Sequence, residues 1–240
     1  MSYDDIEHLI ILERKIKPSC KNTFDDHRCL EFGYSRLNEA DQKEILRKYK
    51  ISHPDKFLLE SFAATSCFEL NEQLRDKDIV EMDEYFSEYT MHLNTILDGL
   101  NPYSNSIVWR WHVPEEGYEF MKSNIGKTIQ FPEFKSTSIK SKNDTTLLKI
   151  ITSSNSNGKV IYPHLDASKS VEKEVLFKSD SKFKVVNHTS KFIELQELDN
   201  QNEMVDILLN SYYWEKEKHY TKRAHSILFG TPEIDLENLI

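Results

Sequence analysis

The spacing of apolar residues divides the chain into two parts. In residues 1–104 apolar side chains recur every three or four positions with acidic residues between them, most clearly over 57–74 and 82–97. This spacing places apolar residues on one face of a helix and charged residues on the other. Gly99 and Pro102 follow the last of these patterns, and both residue types end helices. The first part is therefore predicted to be a helical layer with a solvated acidic face.

From residue 105 the pattern becomes that of short strands separated by turns,. The predicted strands are 106–113, 145–152, 159–163, 173–178, 182–187 and 192–198, with a short helix at 114–121. Strands at this density, without long helices between them, predict an antiparallel-rich α+β structure. A mixed aromatic and basic segment at 211–228 is predicted to be a C-terminal helix.

Three short segments of the second part carry polar residues that an ordinary buried strand avoids. They are Val-Trp-Arg-Trp-His at 108–112, Phe-Lys-Ser-Thr-Ser at 134–138 and Glu-Lys-Glu-Val-Leu-Phe at 172–177. A buried arginine such as Arg110 is unfavourable unless it is paired or meets an anion, and its planar guanidinium suits phosphate oxygens. Each segment alone has an ordinary explanation, such as a solvent-facing arginine or an edge strand rich in hydroxyls.

The third segment holds two carboxylates two residues apart. Side chains at i and i+2 of a strand point to the same face, so Glu172 and Glu174 are expected to stand side by side. Any one of the three segments is weak evidence for a site. Their order, compact separations and shared strand context make the combination specific.

In order and chemistry, the three segments resemble the arginine–serine–glutamate class of mono-ADP-ribosyltransferases, which includes cholera toxin and C3-like toxins. In that class one strand ends in an aromatic–arginine pair, a later strand carries Ser-Thr-Ser and a third carries Glu-x-Glu. The resemblance spans residues 105–198. The matching residues are Arg110, Ser136, Thr137, Ser138, Glu172 and Glu174.

The resemblance implies the architecture and the activity. The fold expected from it is α+β, with a helical N-terminal part packed on an antiparallel-rich two-sheet ADP-ribosyltransferase core. Residues 1–104 would form the helical region, and 105–240 the catalytic core with its C-terminal helix, together as one compact unit. The expected enzyme cleaves NAD at the nicotinamide–ribose bond and transfers ADP-ribose to a macromolecule. Small stand-alone enzymes of this kind are usually bacterial or phage toxins and effectors.

The resemblance also assigns residues to NAD binding. Arg110 would hold the dinucleotide near its phosphates, and Ser136 would position the catalytic glutamate and support the nicotinamide ribose. Thr137 and Ser138 complete the expected NAD-binding strand. Many members of the class have glycine after the arginine, where the backbone contacts the nicotinamide amide. This chain has Trp111 at that position.

The two glutamates carry the expected chemistry. By resemblance, Glu174 engages the ribose 2′-hydroxyl and stabilises an oxocarbenium-like state as the nicotinamide bond breaks. Glu172 occupies the position linked to acceptor choice, where a carboxylate can hold a guanidinium bidentately. The catalytic residues expected are therefore Glu174, Glu172, Ser136 and Arg110. Glu172 favours a protein arginine as the acceptor.

The charge distribution leaves a second acceptor class open. The chain has a net charge of −9, but residues 1–104 carry 13 basic and 21 acidic residues, whereas 106–191 carry 14 and 9. The basic part holds the three segments, which suits a dinucleotide and also an RNA or DNA acceptor. A third possibility is a catalytically silent NAD-binding or interaction module on the same fold.

Other sequence features restrict cofactors and location. Cys20, Cys29 and Cys67 show no ligand spacing, which predicts reduced thiols and no metal site,. No P-loop or GxGxxG is present, so NAD would not be held in the Rossmann manner,. No signal peptide or membrane span is visible, and a cytoplasmic protein is expected, in the producing cell or an invaded host cell,. An antitoxin or host activator is a possible partner.

Overall fold

The structure, a computed structural model, describes residues 2, 4–5, 8–9, 12, 54–63, 67–77, 81–111, 115–141, 147–165 and 173–210. Its helices are α1 (Pro54–Ser61), α2 (Cys67–Asp76), α3 (Glu84–Asp98) and α4 (Glu115–Ser123), and Tyr162–His164 forms a 3-10 turn. Its strands are β1 (Ile107–Arg110), β2 (Thr128–Phe131), β3 (Lys135–Ser138), β4 (Leu147–Ile151), β5 (Gly158–Val160), β6 (Glu174–Phe177), β7 (Ser181–His188), β8 (Phe192–Glu197) and β9 (Ile207–Leu208). The predicted C-terminal helix at 211–228 lies outside the described residues.

The strands form one mixed sheet. Their order is β5-β6-β3-β1-β4-β8-β7-β2-β9. Of the eight pairings among these strands, only β4 with β8 and β2 with β9 are parallel. An α+β structure with a mostly antiparallel sheet is thus confirmed. The short helix predicted at 114–121 is present as α4.

The sheet folds over on itself. Four strands separate β6 from β7 in the sheet order, which in a flat sheet would place them about 24 Å apart at roughly 4.8 Å per spacing. The ring centroids of Phe177 in β6 and Phe183 in β7 are nevertheless 5.2 Å apart. The described strands therefore form two facing layers that are joined through β1 and β3. The junction is β1 with β3, where the only registered pair is Trp109 with Ser138.

Two buried apolar clusters follow from this arrangement. The inner cluster lies between the two layers and includes Val108, Phe131, Val175, Phe177, Phe183 and Leu195. The helix-side cluster joins leucines and aromatics of α1, α2 and α3 to Phe134, Ile161, Leu165 and Leu176. Successive side chains of β6 point to opposite faces of the sheet. Val175 and Phe177 therefore lie in the inner cluster, and Leu176 lies in the helix-side cluster.

Some elements differ from the sequence prediction. The pattern over 57–74 forms two helices, α1 and α2, instead of one, and both place their leucines in the helix-side cluster. The strands β2 and β9 were not predicted. Most of the first 53 residues lie outside the described ranges, so the helical prediction there stays a prediction. No described helix has the length and hydropathy needed to cross a bilayer.

Candidate active site

Arg110 is the last residue of β1, which lies between β3 and β4. Its side chain is half-buried, and Nη1 donates a hydrogen bond to the backbone oxygen of Ser136 at 3.3 Å. The predicted arginine and the predicted hydroxyl strand are therefore in direct contact. This contact links the end of β1 to the middle of β3.

Glu174 is the first residue of β6, which pairs with β3 in antiparallel register. The register places Glu174 opposite Ser138, and Ser136 opposite Leu176. Directly opposite side chains have Cβ atoms about 5 Å apart, and diagonal neighbours about 7–8 Å. Ser138 is thus the nearest cross-strand neighbour of Glu174, while Ser136 is its diagonal neighbour. Glu174 is half-buried.

The three hydroxyls of β3 have different surroundings. Thr137 is buried, and its hydroxyl donates to the backbone oxygen of Val175 at 2.7 Å. The Ser138 hydroxyl accepts a hydrogen bond from the backbone N–H of Lys140 at 3.0 Å. The half-buried Ser136 hydroxyl makes no hydrogen bond to another described residue. Of the three, Ser136 is therefore the hydroxyl most available to a ligand.

Hydrogen bonds to two backbone oxygens hold the ends of these strands together. The Trp111 indole N–H donates to the backbone oxygen of Lys140 at 2.8 Å. The backbone N–H of Ile139 donates to the backbone oxygen of Lys173 at 3.3 Å. The segment after Ser138 is therefore tied to the end of β1 on one side and to the start of β6 on the other. Trp111 has a structural contact in addition to its predicted role at the nicotinamide.

The predicted placement of Glu172 beside Glu174 stays a prediction, although the strand argument for it does not hold. The expectation that Glu172 stands beside Glu174 assumed an extended strand through both. β6 begins at Glu174, and Lys173 has a φ of 49°, which is left-handed and does not continue the alternation of a strand. The argument for a shared strand face therefore fails. Glu172 itself lies outside the described residues, as does His112.

Two buried charges beside the site were missed by sequence reasoning. Glu133 and Lys135 flank Phe134, are 0% and 1% exposed, and approach to 3.3 Å between Oε1 and Nζ. Burial lowers the pKa of Lys135 to about 7, opposed by the nearby Glu133 carboxylate and reinforced by the charge of Arg110. The available signal was the pattern Phe-Pro-Glu-Phe-Lys, in which charges interrupt an otherwise apolar run just before Ser136.

A group with metal-ligand chemistry lies on the helices rather than on these strands. Potential ligand atoms of His8, Glu84 and Glu88 are all within 4.8 Å of one another. These side chains are exposed or half-buried, and His8 Nε2 is 3.2 Å from Glu88 Oε1. The sequence-based expectation of no metal site stays a prediction.

The mixed sheet with a few helices matches the fold of solved ADP-ribosyltransferases. No model of a known protein family matches the sequence, and no curated protein does. Several solved structures match the fold. The ADP-ribosyltransferase Vis, solved with agmatine, has a TM-score of 0.50 and 17% identity, over 75% of this chain and 96% of Vis.

Two further bacterial structures match the fold with similar TM-scores. The C3 exoenzyme of Clostridium limosum has a TM-score of 0.51 and 16% identity, over 66% of this chain and 92% of its own. Plx2a, an ADP-ribosyltransferase toxin from Paenibacillus larvae, has a TM-score of 0.50 and 15% identity, over 65% and 92%. The resemblance found from the three sequence segments is thereby confirmed at the level of the fold.

Proposed function

We propose that this protein is an NAD-dependent mono-ADP-ribosyltransferase of the toxin or effector type, and that its acceptor is a protein arginine. The observation that carries the proposal is the meeting of Arg110, Ser136 and Glu174 on three adjoining strands of an ADP-ribosyltransferase fold. Each of the three residues comes from one of the three sequence segments that resemble the arginine–serine–glutamate class.

The residues present suit NAD as a substrate. Arg110 has a planar guanidinium that matches phosphate oxygens, and it is half-buried, where a charged contact is stronger than in water,. The Ser136 hydroxyl has no hydrogen bond to another described residue and is half-buried, so it can bond a ribose hydroxyl,. When bound, NAD would supply an ADP-ribosyl group and a nicotinamide leaving group.

Glu174 would provide the main stabilisation of the transition state. Positive charge develops on the ribose as the bond to nicotinamide breaks, and a carboxylate fixed at the start of a strand needs little reorganisation to stabilise it. Arg110 would hold the pyrophosphate and Ser136 would orient the ribose. Glu172 would engage the acceptor and help to remove its proton.

An arginine acceptor is supported by one neighbour. Vis was solved with agmatine, a small molecule that ends in the same guanidinium group as an arginine side chain. The sequence supports the same acceptor, because a glutamate at the Glu172 position can form two hydrogen bonds with a guanidinium.

The test measures NAD-dependent transfer by the purified protein. Wild-type protein should release nicotinamide and ADP-ribosylate agmatine, but not 1,4-diaminobutane, which lacks the guanidinium. Glu174→Gln should lower the rate on the order of 10²–10³-fold, the typical loss when one group that stabilises the transition state is removed. Glu203→Gln, the same change at an exposed carboxylate, is the matched control and should keep the wild-type rate.

The same experiment separates the alternatives. With labelled NAD and a cell lysate, an arginine acceptor predicts label that protease destroys and nuclease does not. Label lost only to nuclease would replace the acceptor with RNA or DNA, which the basic charge of residues 106–191 would then explain,. Nicotinamide release that is independent of Glu174 would overturn the mechanism, and a protein that binds NAD without consuming it would be a silent module.

A further inference from the structure

The turn between β2 and β3 is buried throughout and leads directly to Ser136. Glu133 in this turn and Lys135 at the start of β3 are both at least 99% buried. Charged side chains are almost never fully buried unless they are paired. The proposed transfer assigns no role to either residue, so their presence beside Arg110 requires an explanation.

Helix α2 fixes the middle of this turn. The buried Asn71 side chain donates from Nδ2 to the Phe134 backbone oxygen at 3.2 Å and accepts at Oδ1 from the Phe134 backbone N–H at 3.1 Å. One amide thereby satisfies both backbone groups of a residue that lies just outside β3. The Phe134 ring also packs on Phe62 at 5.5 Å between centroids. The backbone is thus held immediately before β3, the strand that carries Ser136.

The Glu133–Lys135 ion pair fixes the two sides of the same turn. Lys135 Nζ lies 3.3 Å from Glu133 Oε1 and 4.4 Å from the centroid of the Phe131 ring. Glu133 Oε2 has no hydrogen-bond partner in the part of the chain that the structure describes. Apolar residues of similar volume often give equal or greater stability than a buried ion pair. Stability alone therefore does not explain this pair.

The position of the ion pair next to Ser136 explains its presence better than stability does. The Ser136 backbone oxygen, which accepts the Arg110 hydrogen bond, belongs to the residue after Lys135. Any shift of the Lys135 backbone would move the Ser136 hydroxyl and the anchor of Arg110 together. The charges that face Lys135 are Glu133 from its own turn, Arg110 from β1 and Arg75 from α2. Protonation of Lys135 therefore changes the electrostatic surroundings of Arg110.

We propose that Asn71, Glu133 and Lys135 form a buried polar clamp whose members are positioning residues for the transfer, because they hold Ser136 and Arg110 in register. This inference rests on the proposed function. It assigns α2, in the helical part of the chain, a direct share in the geometry of the site. It also predicts that the clamp can be made neutral without unfolding the protein, yet not without loss of activity.

The deciding experiment replaces the ion pair by apolar side chains of similar length. The variant is Glu133→Met with Lys135→Met, and the matched control is Lys149→Met with Glu194→Met. The control pair also joins a lysine and a glutamate, at 2.6 Å, with Lys149 Nζ 5.4 Å from the Phe192 ring centroid. For each variant, thermal unfolding is measured first, followed by the kcat and KM for NAD with agmatine between pH 5.5 and 8.5.

The clamp variant should unfold at or above the wild-type temperature, while its kcat/KM for NAD falls about tenfold to a hundredfold, as misplacement by about 1 Å can cause. Wild-type protein should show a component of the pH profile near the pKa of Lys135, about 7, and the variant should lack it. The control should keep both the rate and the profile. A folded clamp variant with wild-type kinetics would overturn the inference.

A second variant tests the same inference if the double replacement fails to fold. Asn71→Asp keeps the volume and the acceptor for the Phe134 N–H but cannot donate to the Phe134 oxygen. It should fold and lose kcat/KM for NAD, and wild-type kinetics in it would overturn the inference. Failure of the proposed function looks different, because wild-type protein itself would then show no Glu174-dependent nicotinamide release.

Discussion

At the scale of single residues, one three-residue motif contains three separate environments. Ser136, Thr137 and Ser138 are consecutive hydroxyls, and only the family resemblance gave Ser136 a role separate from the other two. In the structure the Thr137 hydroxyl bonds a neighbouring strand, the Ser138 hydroxyl caps a turn and the Ser136 hydroxyl is available. The reason is alternation: Thr137 faces the inner cluster, whereas its two neighbours face the opposite side.

These environments predict opposite effects for two conservative changes. Thr137→Val removes a buried hydrogen bond of 2.7 Å to Val175 and should lower the free energy of unfolding by about 1–2 kcal/mol while the activity is retained. Ser136→Ala should change stability by less than about 0.5 kcal/mol. Its kcat/KM for NAD should fall about tenfold, equivalent to one hydrogen bond of about 1.4 kcal/mol. Urea denaturation and nicotinamide release measure the two effects, and an equal loss of activity in both variants would contradict the assignment.

Some features of single residues at the site could be predicted from the sequence, and others could not. The placement of Arg110, Ser136 and Glu174 on adjoining strands could be predicted from the resemblance, while their roles at the site stay predictions. The left-handed backbone of Lys173 could not, since its φ of 49° depends on the surrounding structure and not on a glycine or asparagine,. Glu133 and Lys135 were missed for another reason: a sequence shows that a residue is charged, but only packing shows that it is buried.

At the scale of elements, β5 depends on a close approach to β6. Gly158 pairs with Phe177 in the register of the two strands. A Cβ added at Gly158 would lie 2.9 Å from the Phe177 ring and 3.1 Å from the Ser156 hydroxyl. The ring has little freedom to move, because it is fully buried and packs on Phe183. Glycine is therefore required here by space, not by backbone conformation.

We expect Gly158→Ala to lower the free energy of unfolding by about 1–3 kcal/mol, the usual effect of overpacking in a core. Gly99→Ala is the matched control, because Gly99 has a helical φ of −77° and its nearest neighbour to an added Cβ is at an ordinary 3.4 Å. That change should be neutral or stabilise by up to about 1 kcal/mol. Denaturation midpoints compare the two variants. A Gly158→Ala protein as stable as wild type would show that β5 can move away from Phe177.

Most of the described elements were predictable from local patterns, whereas their assembly was expected only from the family resemblance. The apolar runs that became β4, β6, β7 and β8 show strand patterns in the sequence, whereas β2 and β9 were not recognised as strands. The folding of the sheet depends on contacts between residues distant in sequence, such as Phe131 and Phe183 at 5.5 Å between centroids. No local pattern encodes such a contact, and the two-sheet core was expected from the family resemblance alone.

At the scale of the whole molecule, the two parts predicted from the sequence share a core. The helix-side cluster joins residues such as Leu58 and Leu93 to Phe134, Ile161 and Leu176 of the strand-rich part. Phe134 and Leu176 are at most 1% exposed. Asn71 adds two hydrogen bonds across the same boundary. The boundary near residue 104 therefore divides patterns in the sequence and does not coincide with a gap in the packing of the described residues.

This shared core predicts that a fragment of residues 105–240 does not fold alone. Without the helices, Phe134, Ile161, Leu165 and Leu176 lose burial worth about 1.5–3 kcal/mol each. That loss approaches the entire stability of a typical domain, about 5–15 kcal/mol. We expect the full chain to unfold in one cooperative transition, followed by near-ultraviolet circular dichroism. The fragment should lack both the near-ultraviolet signal and a transition, while adding residues 54–104 should restore them. A fragment that unfolds cooperatively would establish two independent domains and would remove the structural basis for linking α2 to the site.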